Sequence, residues 1–428
     1  MSQERRLKVL LIAPYYDKNT PGESWCTYKW VEQISERCDV TVLTSHRAGW
    51  DAGRSPIKAV EVVNWTHPVL TGRLARLDWE LKPHYLLFYF RVRRWLKNAI
   101  REGFPFDIVH QINPVAVRYP SPARNLGLPF VTGPHAGSLE TPPGFLAESP
   151  ENQWFRRLRS LDKWRLRHDP VLRSSFASAE TVIGVAPYVQ ELLASIPVKR
   201  FALMAETGPE LVIDDPKDYP DQSGPLRLLF VGRVIRTKGV IDGIRALALA
   251  AKNCDVTLDV VGTGDMADAC VAEAEKLGVS HLVTFHGRIP RAEVYEWYRN
   301  SDVFLFPSFR EPSGTVVFEA MGFGLPMITC TTGGPGYVIT HECGIRVAPT
   351  DPQQFAADLA AAIVELATNR SRLAAMSRAA LTRVEAVASW RERSRSLIGI
   401  YKEVARICPD PAGGLEDSIP RSIGSPAP

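Results

Sequence analysis

The stretch FVGRVIRTKGVIDGIRALALA, residues 230–250, indicates the fold of this chain. Its apolar start predicts a buried strand that ends at Gly232, and its later apolar residues recur with the period of a helix that begins near Gly239. The loop between them carries two cations, Arg233 and Lys238. A strand that leads through a short loop into a helix is the repeating unit of a parallel α/β sheet.

The same alternation of short apolar runs and helical patterns continues along both halves of the chain. In the first half it predicts strands at 8–14, 39–45, 107–111, 129–133, 181–185 and 201–205. In the second half it predicts strands at 226–232, 257–262, 283–287, 303–308, 326–330 and 345–347. Two such sets predict an α/β protein with two Rossmann-like β/α/β domains.

The chain of 428 residues is longer than one hydrophobic core usually serves, which also favours two domains. Residues 1–212 are predicted to form the first and residues 226–388 the second, joined by the Asp- and Pro-rich linker 213–225. The last helix, 389–407, follows the second sheet and is expected to pack back on the first domain. The tail 409–428 has too little apolar sequence to order and is predicted to be disordered.

Composition excludes several classes of protein. Apolar residues make up 45% of the chain and charged residues 23%, the balance of an ordinary globular protein. No run approaches the ~18 apolar residues that a membrane span needs, and the start MSQERRLKVLLIAPYY lacks the apolar region of a signal peptide, so the cytoplasm is expected.

The seven cysteines contain no Cys-x-x-Cys motif, which predicts reduced thiols rather than disulfides or a zinc site. Residues 1–200 hold 28 Lys and Arg against 19 Asp and Glu, but no motif points to nucleic acid as a partner.

Two carboxylates flank a Ser-Gly-Thr turn in FREPSGTVVFEAMGFGLP, residues 309–326. The turn follows a predicted strand at its carboxyl end, where open α/β sheets bind ligands, and Thr315 begins a helix whose free N–H groups can hold a phosphate. Gly314 lets a ligand approach the backbone. Glu311 and Glu319 would repel a bare diphosphate but suit hydroxyl groups attached at its two ends. A surface helix that simply begins with an acid and a cap is the structural alternative.

Arg233 and Lys238 stand beside the predicted start of another helix. Together with the helix dipole they would hold a diphosphate, and ordinary loop cations are the alternative. Gly262 lies in a Gly-Thr-Gly turn that mimics a dinucleotide fingerprint. The next strand ends in Phe-His-Gly without the acid that binds a ribose, so a tight turn is preferred over a nicotinamide site.

These elements together resemble the retaining family 4 glycosyltransferases of the GT-B fold. The resemblance rests on five elements in order: the Gly-Arg-x4-Lys-Gly loop at 232–239, the turn at Gly262, HGRIPRAEVYEWYRNSDVFLFPS, two glutamates eight positions apart, and GLPMITCTTGGPGYVI. It implies two domains that face a central cleft. It also implies a hexosyltransferase that moves a sugar from a nucleoside diphosphate sugar to a hydroxyl acceptor, with retention of configuration.

The same resemblance assigns roles to the residues above. Glu311 would bind hydroxyl groups of the donor sugar and Glu319 the ribose, while Arg233 and Lys238 would neutralise the diphosphate and the Gly314–Thr315 turn would add backbone donors. No cofactor or metal is expected, because cations and a helix terminus can stabilise the leaving phosphate. In agreement, the chain has no Asp-x-Asp sequence.

The first half resembles the acceptor-binding domain of one branch of this family, over FPFDIVHQINPVAVRYPSPARNLGLPFVTGPHAGSLETPP. His135 matches a position where members place a histidine beside the reacting sugar and acceptor; a structural loop histidine is the alternative. Gly22 takes the place of a glycine-rich loop near the donor phosphates, with one glycine where two are common.

A basic, aromatic segment at 71–103 and a second one, WFRRLRSLDKWRLRH, have two interpretations. Clustered cations and aromatic rings suit an anionic acceptor or peripheral contact with the inner face of the membrane. Alternatively, the helices pack their apolar sides on the sheet and leave the cations in water. Two other functions also stay open: a nucleotide-sugar epimerase of similar fold, and a carbohydrate-binding protein with a decayed site.

Overall fold

The computed structural model describes residues 5–20, 22–47, 57, 60–67, 84–148, 153–219 and 224–407, with only the backbone described at 47 and 153–160. The predicted tail at 409–428, residues 220–223 of the predicted linker and the first part of the basic segment, 71–83, lie outside these ranges. The described cysteines are free thiols. Within the described ranges, no helix combines the length and the apolar character needed to cross a bilayer.

The N-terminal half forms one parallel sheet. Its strands are β1 Lys8–Ile12, β2 Asp39–Arg47, β3 Val60–His67, β4 Ile108–Gln111, β5 Phe130–His135, β6 Thr181–Gly184 and β7 Phe201–Leu203. Their order in the sheet is β3-β2-β1-β4-β5-β6-β7. Its helices are α1 Glu23–Ser35, α2 His84–Arg101, α3 Gln153–His168, α4 Pro170–Ala177 and α5 Pro187–Leu192. Leu10 of β1 is in register with Thr41 of β2 and Val109 of β4, which puts β1 inside the sheet.

The C-terminal half forms a second parallel sheet. Its strands are β8 Leu226–Val231, β9 Val256–Val261, β10 Val283–Gly287, β11 Val303–Phe306, β12 Met327–Cys330 and β13 Gly344–Val347, in the order β10-β9-β8-β11-β12-β13. Its helices are α6 Val240–Ala250, α7 Ala267–Lys276, α8 Arg291–Asn300, α9 Thr315–Gly322, α10 Gly333–Val338, α11 Pro352–Thr368 and α12 Arg370–Ala388. Both sheets are flanked by helices, which confirms the predicted pair of Rossmann-like domains.

All twelve predicted strands occur, with ends that differ from the prediction by at most two residues. Strand β3 is not among the strands that the sequence pattern predicts. This edge strand alternates apolar residues with Glu61, Asn64 and Thr66 and is mostly half-buried, so its composition lacks the continuous apolar run of a central strand. Because β3 is partly exposed, it has no continuous apolar run, and the sequence pattern does not reveal it.

The last helix, α13 Trp390–Ile407, packs on the N-terminal sheet. Leu397, Tyr401 and Val404 are buried with Val9 and Leu11 of β1 in one core cluster. The chain therefore crosses between the two domains twice, once between β7 and Ile213, whose amide donates to the Gly322 carbonyl of the C-terminal domain at 2.8 Å, and once before Trp390.

A short turn of the N-terminal half inserts into the C-terminal core. Phe145 is fully buried, and its ring lies 4.5 Å from that of Phe309 and 5.6 Å from that of Phe355. Three residues later, Glu148 accepts a hydrogen bond from Arg236 at 2.9 Å. The two domains are thus joined by packing as well as by the two crossings.

Candidate functional site

The crevice of the C-terminal sheet lies where its strand order reverses, between β8 and β11. The loop after β8 ends in the turn Arg236–Lys238, and Gly239 follows in the left-handed conformation with φ 73°. A Cβ on Gly239 would lie 2.1 Å from the carbonyl oxygen of Pro307, which follows β11. The two loops touch, so only glycine fits at 239, and Lys238 lies beside the loop that carries Glu311.

Lys238 and Glu311 form an ion pair across this contact. Their side chains are only 13% and 12% exposed, so water and salt screen the pair weakly. The Lys238 ammonium group also lies over the ring of Phe306, 5.4 Å from its centroid. The Glu311 carbonyl accepts a hydrogen bond from the Gly334 amide at 3.0 Å, which fixes the backbone of the acid. The structure therefore brings two predicted site residues into direct contact.

Helix α9 begins directly after Gly314, whose φ is 84°. No described side chain caps its first turn. The N–H groups at Thr315 and beyond can therefore bind a ligand, and the helix dipole adds a partial positive charge at the same place. A Cβ on Gly314 would lie 3.3 Å from Glu311 Cγ, so the turn and the acid are in contact. An uncapped helix start, a cation and a carboxylate meet at one point.

Glu319 lies one turn further along α9 and is 8% exposed. It accepts hydrogen bonds from Arg291 Nη2 at 2.7 Å and from the Tyr298 hydroxyl at 3.1 Å. Burial raises the pKa of this carboxyl, while the charge and hydrogen bond of Arg291 act against that rise. The Arg291 guanidinium lies 5.0 Å from the centroid of the Trp25 ring, which belongs to α1 of the other domain. The acid is thus linked through Arg291 to the opposite side of the cleft.

Gly262 supports the loop that carries Arg233. A Cβ on Gly262 would lie 1.8 Å from the carbonyl oxygen of Gly232, and the Val234 amide donates to the Thr263 carbonyl at 2.9 Å. These contacts press the turn after β9 against the turn after β8, as expected of a tight turn. Arg233 itself is exposed, and no ion pair joins it to another residue in the described ranges.

The N-terminal side of the cleft includes the start of α1. Gly22 precedes this helix with φ 90°, and a Cβ on it would meet no atom within 4 Å. Glu23 Oε1 accepts a hydrogen bond from the Val115 amide at 2.7 Å, which anchors the helix start to the segment after β4. Gly22 therefore borders open space, although no contact joins it to the residues around Glu311.

His135 is placed in the interior of the N-terminal domain and is 2% exposed. Its Nε2 lies 2.8 Å from Thr132 Oγ1 and its Nδ1 3.3 Å from the Val115 carbonyl oxygen, while its ring packs edge-on against Phe176. Burial lowers the pKa of this imidazole to about 4, so it is neutral at physiological pH. In this geometry both ring nitrogens are engaged inside the domain, as in the structural alternative.

Glu206 reaches the cleft from the N-terminal domain and was not predicted. Its Oε2 accepts a hydrogen bond from Ser313 Oγ, in the turn before α9, at 2.9 Å. Burial raises the pKa of Glu206 to about 7, and the charges of Glu23 and Glu311 add to the effect. A third carboxyl thus lies at the turn before α9, where it accepts a hydrogen bond from a hydroxyl group rather than from a cation.

Comparison with known proteins identifies the family. A model described as glycosyl transferase 4-like domain matches residues 22–202, and one described as glycosyl transferases group 1 matches residues 213–381. A GDP-mannose-dependent alpha-mannosyltransferase of Mycobacterium tuberculosis is 30% identical over 327 residues, 74% of this chain and 76% of that protein. The chain belongs to the family 4 glycosyltransferases of the GT-B fold.

Another relative of this family 4 glycosyltransferase has a different name and also aligns over most of its length. Glycogen synthase of Mycobacterium tuberculosis is 28% identical over 380 residues, which cover 86% of this chain and 87% of that protein. The crystal structure of HepE from Anabaena in complex with UDP-glucose has a TM-score of 0.56 at 17% identity, and the match covers 94% of this chain and 99% of that chain. The structural similarity shows a shared fold.

The site of this glycosyltransferase contains residues that the sequence analysis missed. Arg291 and Tyr298 lie seven positions apart on α8, so a helical-face pattern in HGRIPRAEVYEWYRN could have indicated them. No local pattern marks Glu206, because its partner Ser313 is 107 positions away. Among the described residues, no group of three His, Cys, Asp or Glu side chains is arranged to hold a metal ion.

Proposed function

We propose that this glycosyltransferase moves a hexosyl group from a nucleoside diphosphate sugar to a hydroxyl acceptor, with retention of configuration and without a metal. The observation that carries the proposal is the Lys238–Glu311 ion pair beside the uncapped start of α9. This arrangement offers a cation, backbone donors and a hydroxyl-binding carboxylate within one crevice. The UDP-glucose complex of HepE, a protein of the same fold, supports a nucleotide sugar as the donor.

The diphosphate would bind at the turn Gly314–Thr315, with Lys238 and Arg233 as its cations. A diphosphate carries more charge than a carboxylate, so it would compete for Lys238 and release Glu311. The freed carboxylate would then accept hydrogen bonds from hydroxyl groups of the donor sugar. Donor binding would thus exchange an internal ion pair for contacts of Lys238 with the diphosphate and of Glu311 with the sugar.

Glu319, one turn along α9, would bind the ribose. Its two oxygens already accept from Arg291 and Tyr298, which hold the carboxylate in a fixed position. A carboxylate oxygen has two lone pairs, so ribose hydroxyl groups can be added without breaking these bonds. Arg291 and Tyr298 are therefore positioning residues in this proposal.

Transfer needs no nucleophile from the protein. The bond from the anomeric carbon to the diphosphate oxygen breaks, a bond to the acceptor oxygen forms on the same face, and the acceptor proton passes to the departing diphosphate. Negative charge grows on the leaving group, where the two cations and the helix start would stabilise it. The proposed role of His135 beside the sugar requires its ring to turn out of the position that it has here.

The first test is substitution of the ion pair. Lys238→Ala and Glu311→Gln are each expected to lower turnover by about 10²–10³-fold, because each removes charge stabilisation at the diphosphate or sugar. Lys252→Ala, at an exposed site of the same domain, is the matched control. Melting curves establish that each variant is folded. Near-normal turnover in a folded Lys238→Ala variant would remove this residue from the mechanism.

A panel of nucleoside diphosphate sugars in a thermal-shift assay identifies the donor, since a ligand that binds only the folded state raises the melting temperature. Incubation of the identified donor with candidate acceptors then separates the alternatives. A product formed without any acceptor would indicate an epimerase, and no turnover despite binding would indicate a carbohydrate-binding protein. The anomeric configuration of the product, measured by NMR, tests retention.

A further inference from the structure

The outer face of α2 exposes large apolar side chains that the packing of this helix does not explain. Leu86 is 59% exposed, Leu87 45% and Phe90 66%. The inner face packs on the N-terminal sheet through Tyr85, Phe88, Tyr89, Val92 and Leu96. The helix is therefore already anchored by one side, as the packing interpretation of the sequence expects. The outer apolar residues do not contribute to this packing and are available for a different contact.

Cations continue the line of these apolar residues along α2. The exposed cations are Arg91, Arg94, Lys97 and Arg101. Residues three and four positions apart share a helix face, so Arg94 and Lys97 follow Leu87 and Phe90 on the same side. The sequence of the helix, HYLLFYFRVRRWLKNAIR, contains no Asp or Glu. The outer face thus joins an apolar end to a strongly basic one.

Helix α3 also exposes large apolar side chains. Leu161 is 45% exposed and Trp164 56%, and the exposed Arg167 lies about one turn after Trp164. On the inner side of the same helix, Leu166 is buried in the core cluster that also contains Phe88 of α2. The two helices therefore pack on the same face of the sheet, and each exposes apolar residues and cations on its outer side.

We propose that the α2–α3 surface, made of Leu86, Leu87, Phe90, Leu161 and Trp164 with the cations around them, docks on a lipid bilayer that carries anionic headgroups. Aliphatic and aromatic side chains would enter the boundary between headgroups and acyl chains, with the tryptophan ring at headgroup level. The cations would contact the lipid phosphates, each strengthening binding by about five-fold.

The combination of exposed apolar residues and cations favours an anionic bilayer over an acidic protein or a nucleic acid as the partner. An acidic protein or a nucleic acid would satisfy the cations, but a highly charged surface gives little apolar area against which Leu86, Leu87 and Phe90 could be buried. A bilayer offers both charge and an apolar layer within a few ångströms. Docking does not depend on the proposed transfer reaction. Combined with it, docking would bring the cleft to an acceptor held in the membrane.

Co-sedimentation of the full chain with vesicles tests the proposal. At low salt, the protein is expected to bind vesicles of phosphatidylcholine mixed with phosphatidylglycerol, and to bind phosphatidylcholine alone much more weakly. Leu87→Ser/Phe90→Ser removes apolar contact, and Arg94→Glu/Lys97→Glu reverses charge. Each double variant is expected to lower the vesicle partition coefficient more than ten-fold.

Matched controls come from the C-terminal domain. Leu249→Ser/Val271→Ser changes residues that are 38% and 40% exposed, and Lys252→Glu/Arg378→Glu reverses two exposed cations. Both are expected to bind vesicles like the unmodified chain. The thermal shift caused by the nucleotide-sugar donor should stay unchanged in all four variants. This readout separates loss of docking from loss of the donor site.

Three results would overturn the proposal. The first is no binding to anionic vesicles at low salt. The second is unchanged vesicle binding by a folded Leu87→Ser/Phe90→Ser variant, which would mean charge attraction without insertion. The third is that soluble heparin binds the chain and prevents vesicle binding while the apolar variant behaves like the unmodified chain, which would identify a surface for a soluble polyanion.

Discussion

At the level of single residues, the acids of the cleft are held in two different ways. Lys238 neutralises Glu311, and Arg291 donates to Glu319 at 2.7 Å. Glu206 is held instead by a hydroxyl group, and its pKa is raised to about 7. Ligand binding can release Glu311 from Lys238 while Glu319 keeps its partners, whereas Glu206 changes its charge near neutral pH.

The melting temperature of the Glu206→Gln variant is expected to rise relative to that of the unmodified chain as the pH increases from about 5 to about 8. Burial, with help from Glu23 and Glu311, raises the pKa of Glu206, while the Ser313 hydrogen bond and Arg393 act in the opposite direction. The unfolded chain ionises this carboxyl near its ordinary pKa of about 4.3. Between that value and about 7 the folded state holds more protons on this group, so its contribution to stability falls with rising pH.

Glutamine does not titrate, and it can still accept the Ser313 hydrogen bond, so the variant isolates the charge. The measurement is the difference between the two melting temperatures at a series of pH values. Titrating groups that do not interact with Glu206 are common to both proteins and cancel in this difference. Parallel curves would show that Glu206 ionises normally in the folded protein.

At the level of elements, the site depends on how closely two strand-to-helix loops approach. The loop after β8 touches the loop after β11 at Gly239 and Pro307, and the turn after β9 touches the loop after β8 at Gly262 and Gly232. Each contact is between backbone atoms, so no side chain can adjust to relieve it. Glycine at these positions is a requirement of loop packing rather than of ligand binding alone.

Gly239→Ala is expected to weaken donor binding and to destabilise the fold more than Gly278→Ala does. Both glycines have nearly the same positive φ, 73° and 72°, so both variants carry the same left-handed strain of about 1 kcal/mol. Only the Cβ at 239 would meet the Pro307 carbonyl oxygen, at 2.1 Å, while the Cβ at 278 meets nothing within 4 Å. Urea unfolding and the donor thermal shift measure the difference. Equal effects of both variants would show that the loop contact is unimportant.

At the level of the whole molecule, contacts between the domains lie on two sides of the cleft. On one side, Phe145 enters the C-terminal core and Glu148 pairs with Arg236. On the other, Trp25 lies against the guanidinium of Arg291. These contacts restrict how the domains can turn about the two chain crossings.

Phe145→Ala is expected to lower the free energy of unfolding by about 3–5 kcal/mol, as for other buried aromatic residues. Leu146→Ala is the control, since the neighbouring side chain is 37% exposed; it should change stability by about 0.5 kcal/mol or less. Denaturant unfolding measures both. A loss of less than about 1 kcal/mol for Phe145→Ala would mean that the turn leaves the core at little cost.

Donor binding is expected to close the cleft, because the proposed donor site lies on the C-terminal domain while Gly22 and Glu206 approach from the other. The expected result is a smaller radius of gyration in small-angle X-ray scattering at saturating donor. Lys238→Ala should weaken this change along with donor binding. Identical scattering profiles with and without a donor that raises the melting temperature would contradict closure.

The sequence by itself determined the elements and the residues that are neighbours along the chain. Apolar runs and helical periodicity report local burial, so they located the strands of both sheets except the half-buried edge strand β3. Glu311, Gly314 and Glu319 belong to one loop and helix, and their arrangement follows from local geometry alone. The order of these motifs was also sufficient to indicate the family.

Only the tertiary structure decided which distant side chains meet and which way they face. Lys238 and Glu311 are 73 positions apart, and Glu206 and Ser313 are 107 apart. Such contacts depend on strand order and domain packing, which leave no periodic trace in the sequence. The inward direction of His135 likewise follows from its hydrogen bonds with Thr132 and Val115. Local patterns report what each element buries, whereas the charge balance of the cleft arises only when the two sheets are assembled.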